Sequence, residues 1–216
     1  MADSNESLSP VRKWIKKTLI TNIPPGTTIW SNTHGKEFEL LTGVSHADLL
    51  SKWFQIKSDG TPLYDTKGTD PTFTTCTSFL PRFSTKVRLA GKLPIKYRDN
   101  RSGKDIDIGL KPFKMNAEVG WIPAFIADCA GGKPREGDFF MMGHNGQADH
   151  VGIIVTVKGD QWSVVAGGAG GRGTKHDGVK RSALGPRPGG VLGWLNVDHY
   201  FDGWNGPDVG DVPDDY

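Results

Sequence analysis

Four short runs of aromatic and β-branched residues crowd the C-terminal part of the chain, and they constrain its fold more than any other feature. They are Asp138-Phe139-Phe140-Met141-Met142, His150 to Val157, Gln161 to Ala166, and Val191 to Val197. Each has strand length and strand composition. Lys158-Gly159-Asp160 between the second and third runs reads as a hairpin turn. Adjacent strands joined by so short a turn pair antiparallel. Residues 167–190, which begin Gly167-Gly168-Ala169-Gly170-Gly171-Arg172-Gly173, read as a long glycine-rich loop.

The N-terminal part has a different period. Residues 1–10 read as disordered. Residues 11–20 alternate basic side chains with Val11, Trp14, Ile15, Leu19 and Ile20, and suit a short helix or a strand lying on the core. Ile23-Pro24-Pro25-Gly26 is a turn. Ser45 and Asp48 resemble a helix start, and Leu49, Leu50, Trp53 and Phe54 give one apolar face, so a helix is expected over 45–56. A loop follows over 60–75. Cys76 then opens a second helix, with Phe79, Leu80, Phe83 and Val87 at helical spacing. Pro81 falls within it and removes a hydrogen bond. Residues 91–114 read as irregular with a hairpin, and residues 117–127 as a third helix interrupted by Pro123. Helices first and an antiparallel sheet after make an α+β domain.

A chain of 216 residues fits one sizeable domain with at most a small appendage. The expected division is an N-terminal extension and helix over 1–59, the main domain over 60–200, and an acidic tail over 201–216. A net charge of +2 gives no general electrostatic case for nucleic acid or a membrane surface. Arg12, Lys13, Lys16 and Lys17 near the start, and Asp208, Asp211, Asp214 and Asp215 near the end, read as solvated tails. No apolar run approaches the roughly 20 residues of a membrane span. Met1-Ala2-Asp3-Ser4-Asn5-Glu6 lacks the basic-then-apolar order of a signal peptide. Two cysteines, Cys76 and Cys129, make no disulfide framework, which suits a reducing cytoplasm.

Chemistry concentrates at Cys76 and His150. A thiol needs a base to become a thiolate near neutral pH, and imidazole is the usual one. A cysteine at a helix start feels the positive end of the helix dipole, and the free N–H groups there bind an oxyanion. Cys129 competes for the nucleophile's role but stands close to His150 with the Gly137-Asp138 strand between them, and reads as a buried or loop thiol. His144 and His150 with Asp149 suggest a metal site, yet no third ligand has metal-like spacing, so no metal is expected. A buried thiol and a structural histidine are the plainer alternative.

Three motifs in order carry a family resemblance. The run Tyr64, Gly68, Asp70-Pro71, Phe73-Thr74-Thr75-Cys76-Thr77-Ser78-Phe79 resembles the nucleophile segment of the NlpC/P60 and CHAP amidases. Pro134-Arg135-Glu136-Gly137-Asp138 resembles their Pro-x-x-Gly-Asp strand opening, and His150-Val151-Gly152-Ile153 their His-Val-Gly-Ile strand. Gly193-Trp194-Leu195 resembles a closing strand. The resemblance covers roughly residues 60–197. It implies a papain-like fold, a cysteine amidase with Cys76 as nucleophile and His150 as base, Tyr64 and Thr77 at the substrate or oxyanion, and no cofactor. It also implies a third residue that orients the imidazole. The stretch Trp162 to Gly168 has no amide or carboxylate to offer, which leaves Ser163, Asp177 from the following loop, a backbone carbonyl or water.

The implied substrate is a peptide amide of bacterial peptidoglycan. A wall hydrolase made in the cytoplasm without a signal peptide resembles the antibacterial effectors that type VI secretion delivers to a rival's periplasm. An immunity protein and a secretion carrier would then be its partners. A phage-type endolysin, or a catalytically degenerate binding module of the same fold, are the alternatives.

Overall fold

The computed structural model describes residues 7–43, 45–47, 76–94, 96–98, 105–107, 132–144, 147–169 and 177–213. The expected helices over 45–56 and 117–127, apart from the first residues of the former, lie outside these. Helix α1 spans Pro10–Asn22. Ser9 caps it, Pro10 takes the first turn where no N–H is needed, and Ile23 ends it with an N–H donated to the Leu19 carbonyl. Val11, Ile15 and Leu19 repeat every four residues and form its buried stripe. The same stripe carries Arg12 and Lys16, both nearly inaccessible to water. Arg12 and Lys16 are therefore part of the core region and not of a solvated tail, while Lys13 and Lys17 stay at the surface.

Strand β1 is Thr28–Trp30, and α2 is Gly35–Thr42. Helix α3 spans Cys76–Ala90 and begins at the residue expected. It runs through Pro81, and Phe79, Leu80, Phe83 and Val87 are all buried. Short strands β2, Lys96–Arg98, and β3, Asp105–Asp107, pair with each other antiparallel, within the stretch expected to hold a hairpin.

The main sheet contains β4 (Phe139–His144), β5 (Gln147–Lys158), β6 (Gln161–Gly167), β7 (Gly178–Arg181), β8 (Gly185–Pro186) and β9 (Val191–Leu195), together with β1. Its order is β1-β7-β6-β5-β4-β9, with β8 beside β6, and every pairing is antiparallel. The stretch read as one loop over 167–190 thus holds two strands. Gly178-Val179-Lys180-Arg181 is short and half basic, so it lacks the apolar alternation by which a strand is recognised. Lys180 is exposed, whereas Arg181 is fully buried and donates to the Ile23 carbonyl.

Both faces of the sheet are apolar. Phe139, Met141, Val151, Ile153, Val155 and Val165 pack with the helices α1, α2 and α3, while Phe140, Ile154 and Trp162 form a second cluster on the opposite face. Burial on two sides accounts for the continuous apolar runs of β4 and β5. Helix α4, Val197–Tyr200, follows β9. Beyond it the chain does not leave the body. The Trp204 indole donates to the Val87 carbonyl and lies where a side chain on Gly91 would be, and Asn205 N donates to the Gly91 carbonyl. Lys17 reaches the Val209 carbonyl and Lys13 pairs with Asp211, so residues expected as an acidic tail run back over α1.

Candidate functional site

The N-terminal end of α3 is held against the sheet by a close approach. A Cβ on Gly167, the last residue of β6, would lie 2.4 Å from the Phe79 Cβ. No side chain fits there, so the first turn of α3 rests on the end of β6. Ile153 pairs with Val165, and continuing that register sets Val151 opposite Gly167 and His150 opposite Gly168. Cys76, at the first position of α3, therefore starts above the same end of the sheet that carries His150.

The pleat decides the rest. Val151 and Ile153 face α3 with Gly167. His150 pairs with Met142, and Met142 packs with Phe140 and Ile154 on the other face. Side chains directly across an antiparallel pair share a face. His150 is thus brought to the end of the sheet where α3 begins, on the side away from the helix. Beside it the β4–β5 pairing shifts: Met142 pairs with His150 but Gly143 with Ala148, so Asp149 is the extra residue of a bulge. The side chains of Cys76, Thr77, His144 and Asp149, and the whole of Tyr64 and Cys129, lie outside what is described.

Ser163 does not serve as a third residue beside His150. It pairs with Thr156, six positions along β5 and roughly 20 Å away in an extended strand. Its hydroxyl donates to the Ser182 carbonyl at 2.8 Å and accepts from the buried Arg181 Nε at 3.3 Å. Its polar capacity is used in holding β6 to β7. Asp177 lies at the correct end. Gly167 pairs with Val179, so Asp177 precedes the β7 residue two strands across from His150. It shares the parity of Val179, which faces the helices, and it is buried.

Asp177 belongs to a small polar cluster that the sequence did not reveal. Its N–H donates to the Ser31 hydroxyl at 3.1 Å, Ser31 N donates to the Asp177 carbonyl, and the same hydroxyl meets His46 Nδ1 at 3.0 Å. Helix α2 lies between Ser31 and His46, and the central strands between them and Asp177, so no spacing rule joins the three. Among the described residues no group of three or more His, Cys, Asp or Glu side chains is placed to hold a metal ion.

The Pro-x-x-Gly-Asp segment has a structural explanation. Asp138 accepts from Arg135 N at 2.8 Å, closing the turn on itself, and from Val197 N at 3.2 Å, which ties in α4. Gly137 adopts φ 90°, a left-handed conformation suited to glycine, and lies against the Arg12 backbone. Arg12 then joins α1 to two other segments: Nη2 to Asp138 at 2.8 Å and Nη1 to the Glu136 carbonyl at 2.8 Å in the turn, and Nε to Asp198 at 2.7 Å in α4. Lys16 pairs with Glu136 at 2.7 Å. Burial pushes the Asp138 carboxyl above its ordinary range against the pull of Arg12. Burial also acts to raise Asp198, but hydrogen bonds from Ser9 and Arg12 outweigh it and hold that carboxyl below its ordinary range.

No family model matches the chain, and no curated protein or solved structure is significantly similar to it. Among the described residues no helix is long and apolar enough to cross a membrane.

Proposed function

We propose that this chain is a papain-like cysteine amidase that cleaves a peptide amide of bacterial peptidoglycan, acting as an antibacterial effector delivered by type VI secretion. The observation that carries the reading is Cys76 as the first residue of a 15-residue helix laid on an antiparallel sheet. In that position the helix dipole favours thiolate, and unpaired N–H groups of the first turn are available to a tetrahedral oxyanion. The thiolate attacks the amide carbon, the imidazole protonates the departing amine, and water then releases the acyl group.

The reading makes a demand on β5. His150 reaches the helix side only if the segment before Val151 slips by one residue, since a one-residue shift exchanges the two faces of a strand. The bulge at Asp149 is where such a shift is least costly. Asp177 lies on the helix side at that end of the sheet, within the reach of an imidazole that has moved there. A non-catalytic binding module of the same fold is the second reading, and it is favoured by the face that His150 takes.

Purified protein incubated with isolated sacculi decides between them by mass spectrometry of the released muropeptides. New termini are expected with the wild type and none with Cys76→Ala or His150→Ala, both folded. Wild-type turnover in either variant overturns the dyad. No product from any form leaves the binding-module reading standing.

A further inference from the structure

At the opposite end of the β5–β6 hairpin lies a cleft of about 650 Å³, walled by Leu8, Pro134, Val157 and Trp162, with Lys133 and Arg187 at its rim. Lys158 follows His150 by eight positions, which places this cleft roughly 25 Å along the strand from the Cys76 end. Arg187 is exposed, yet it is held. Its guanidinium carbon lies 5.0 Å from the Trp162 ring centre and 5.9 Å from that of Trp194, and the Arg187 backbone N–H donates to the Asp160 carbonyl at 2.7 Å. Among the described residues neither Arg187 nor Lys133 has a carboxylate partner. A guanidinium stacked on an indole keeps its N–H edge directed outward and loses little freedom on binding.

We propose that this cleft binds an acidic peptide segment of a protein partner, with a Glu or Asp carboxylate on Arg187 and apolar neighbours against Leu8, Pro134 and Val157. The planar fork of donors matches a carboxylate in two parallel bonds. The cleft also contains the carboxylates of Glu136 and Asp160. Lys16 pairs with Glu136, whereas Asp160 has no cationic partner among the described residues and repels a polyanion more than a single carboxylate. Leu8, Pro134 and Val157 give the wall an apolar stretch, which a peptide covers and a phosphate chain does not.

The test uses an array of short blocked peptides carrying Asp or Glu among Leu, Val and Ala, each beside its Asn or Gln counterpart. The whole chain is applied, and retained peptides are titrated in solution by indole fluorescence. Acidic peptides are expected to bind at least about tenfold more tightly than their amide counterparts, and Arg187→Gln to lose that advantage. Arg187 also covers Trp162, so Lys133→Gln, which touches no ring, is measured alongside with thermal melts of both variants. It is expected to weaken binding about threefold. If Arg187→Gln unfolds, Lys133→Gln and the amide counterparts carry the test. Equal binding of amide counterparts, unchanged affinity in the folded variants, or no peptide retained at millimolar concentration overturns the proposal. Tighter binding of heparin or oligothymidylate than of any peptide reassigns the cleft to polyanions and overturns it too.

Discussion

Arg12 has 1% of its surface exposed and touches two carboxylates and a carbonyl. Deleting it leaves Asp138 buried and without its cation, and breaking a buried pair from one side costs about 3–5 kcal/mol. Arg12→Ala should therefore lower the urea midpoint severely, while Lys13→Ala, whose partner Asp211 is fully exposed, should leave it nearly unchanged. Equal midpoints for the two variants would show that Arg12 is not a junction. Asp198 adds a dependence on pH. Its folded-state pKa is lowered, so its stabilisation is present above the unfolded value and is lost as pH falls through the folded one. The window lies below about pH 4. Asp198→Asn should flatten the acid limb of stability, read as urea midpoints along a pH series, and an unchanged limb would contradict the pairing. Neither role was legible in the sequence. Arg12 looked like a solvated cation because its partners stand more than a hundred positions away. Ser163 looked free to orient an imidazole because Ser182 and Arg181 reach it only through the β6–β7 pairing.

At the scale of elements, the contact between α3 and β6 positions Cys76. Gly167→Ala sets a methyl group 2.4 Å from the Phe79 Cβ. Overpacking of this kind costs about 1–3 kcal/mol, and relief comes by lifting the first turn of α3. Gly167→Ala is expected to lower the melting temperature and to change the rate at which Cys76 reacts with a thiol reagent. A reactivity identical to wild type would separate Cys76 from the β6 end. Helix α3 was readable because it buries side chains with its own period, and strands β4, β5, β6 and β9 because their short aromatic and β-branched runs have strand length and composition. Strands β1, β7 and β8 were not. Strand β1 is three residues long, and β7 offers Lys180 to solvent, so neither shows a period until its partners are in place.

For the molecule as a whole, the proposed substrate leads to a compartment test. Expression in a bacterial cytoplasm should be tolerated, because no cross-linked wall lies there. The same chain behind a periplasmic signal should cause rounding or lysis, and Cys76→Ala should abolish the effect. Equal toxicity in both compartments would instead indicate a cytoplasmic target, and no effect from folded periplasmic protein would favour a binding role. The Lys133 and Arg187 cleft predicts a separable behaviour, since its variants should keep any hydrolytic activity while losing acidic peptides.

The sequence by itself determined that helices combine with an antiparallel sheet whose four central runs lie in the C-terminal part, together with the start of α3 at Cys76 and the β5–β6 turn. These follow from local periodicity and turn chemistry, which neighbouring residues specify. Only the tertiary structure decided which face His150 takes, because both faces of β5 are apolar and only the packing of α3 sets Val151 and Ile153 toward the helices and His150, with Met142, on the other side. It also decided that the basic start and acidic end of the chain close against each other through α1, since an ion pair between Lys13 and Asp211 exists only once both segments are folded onto the same core.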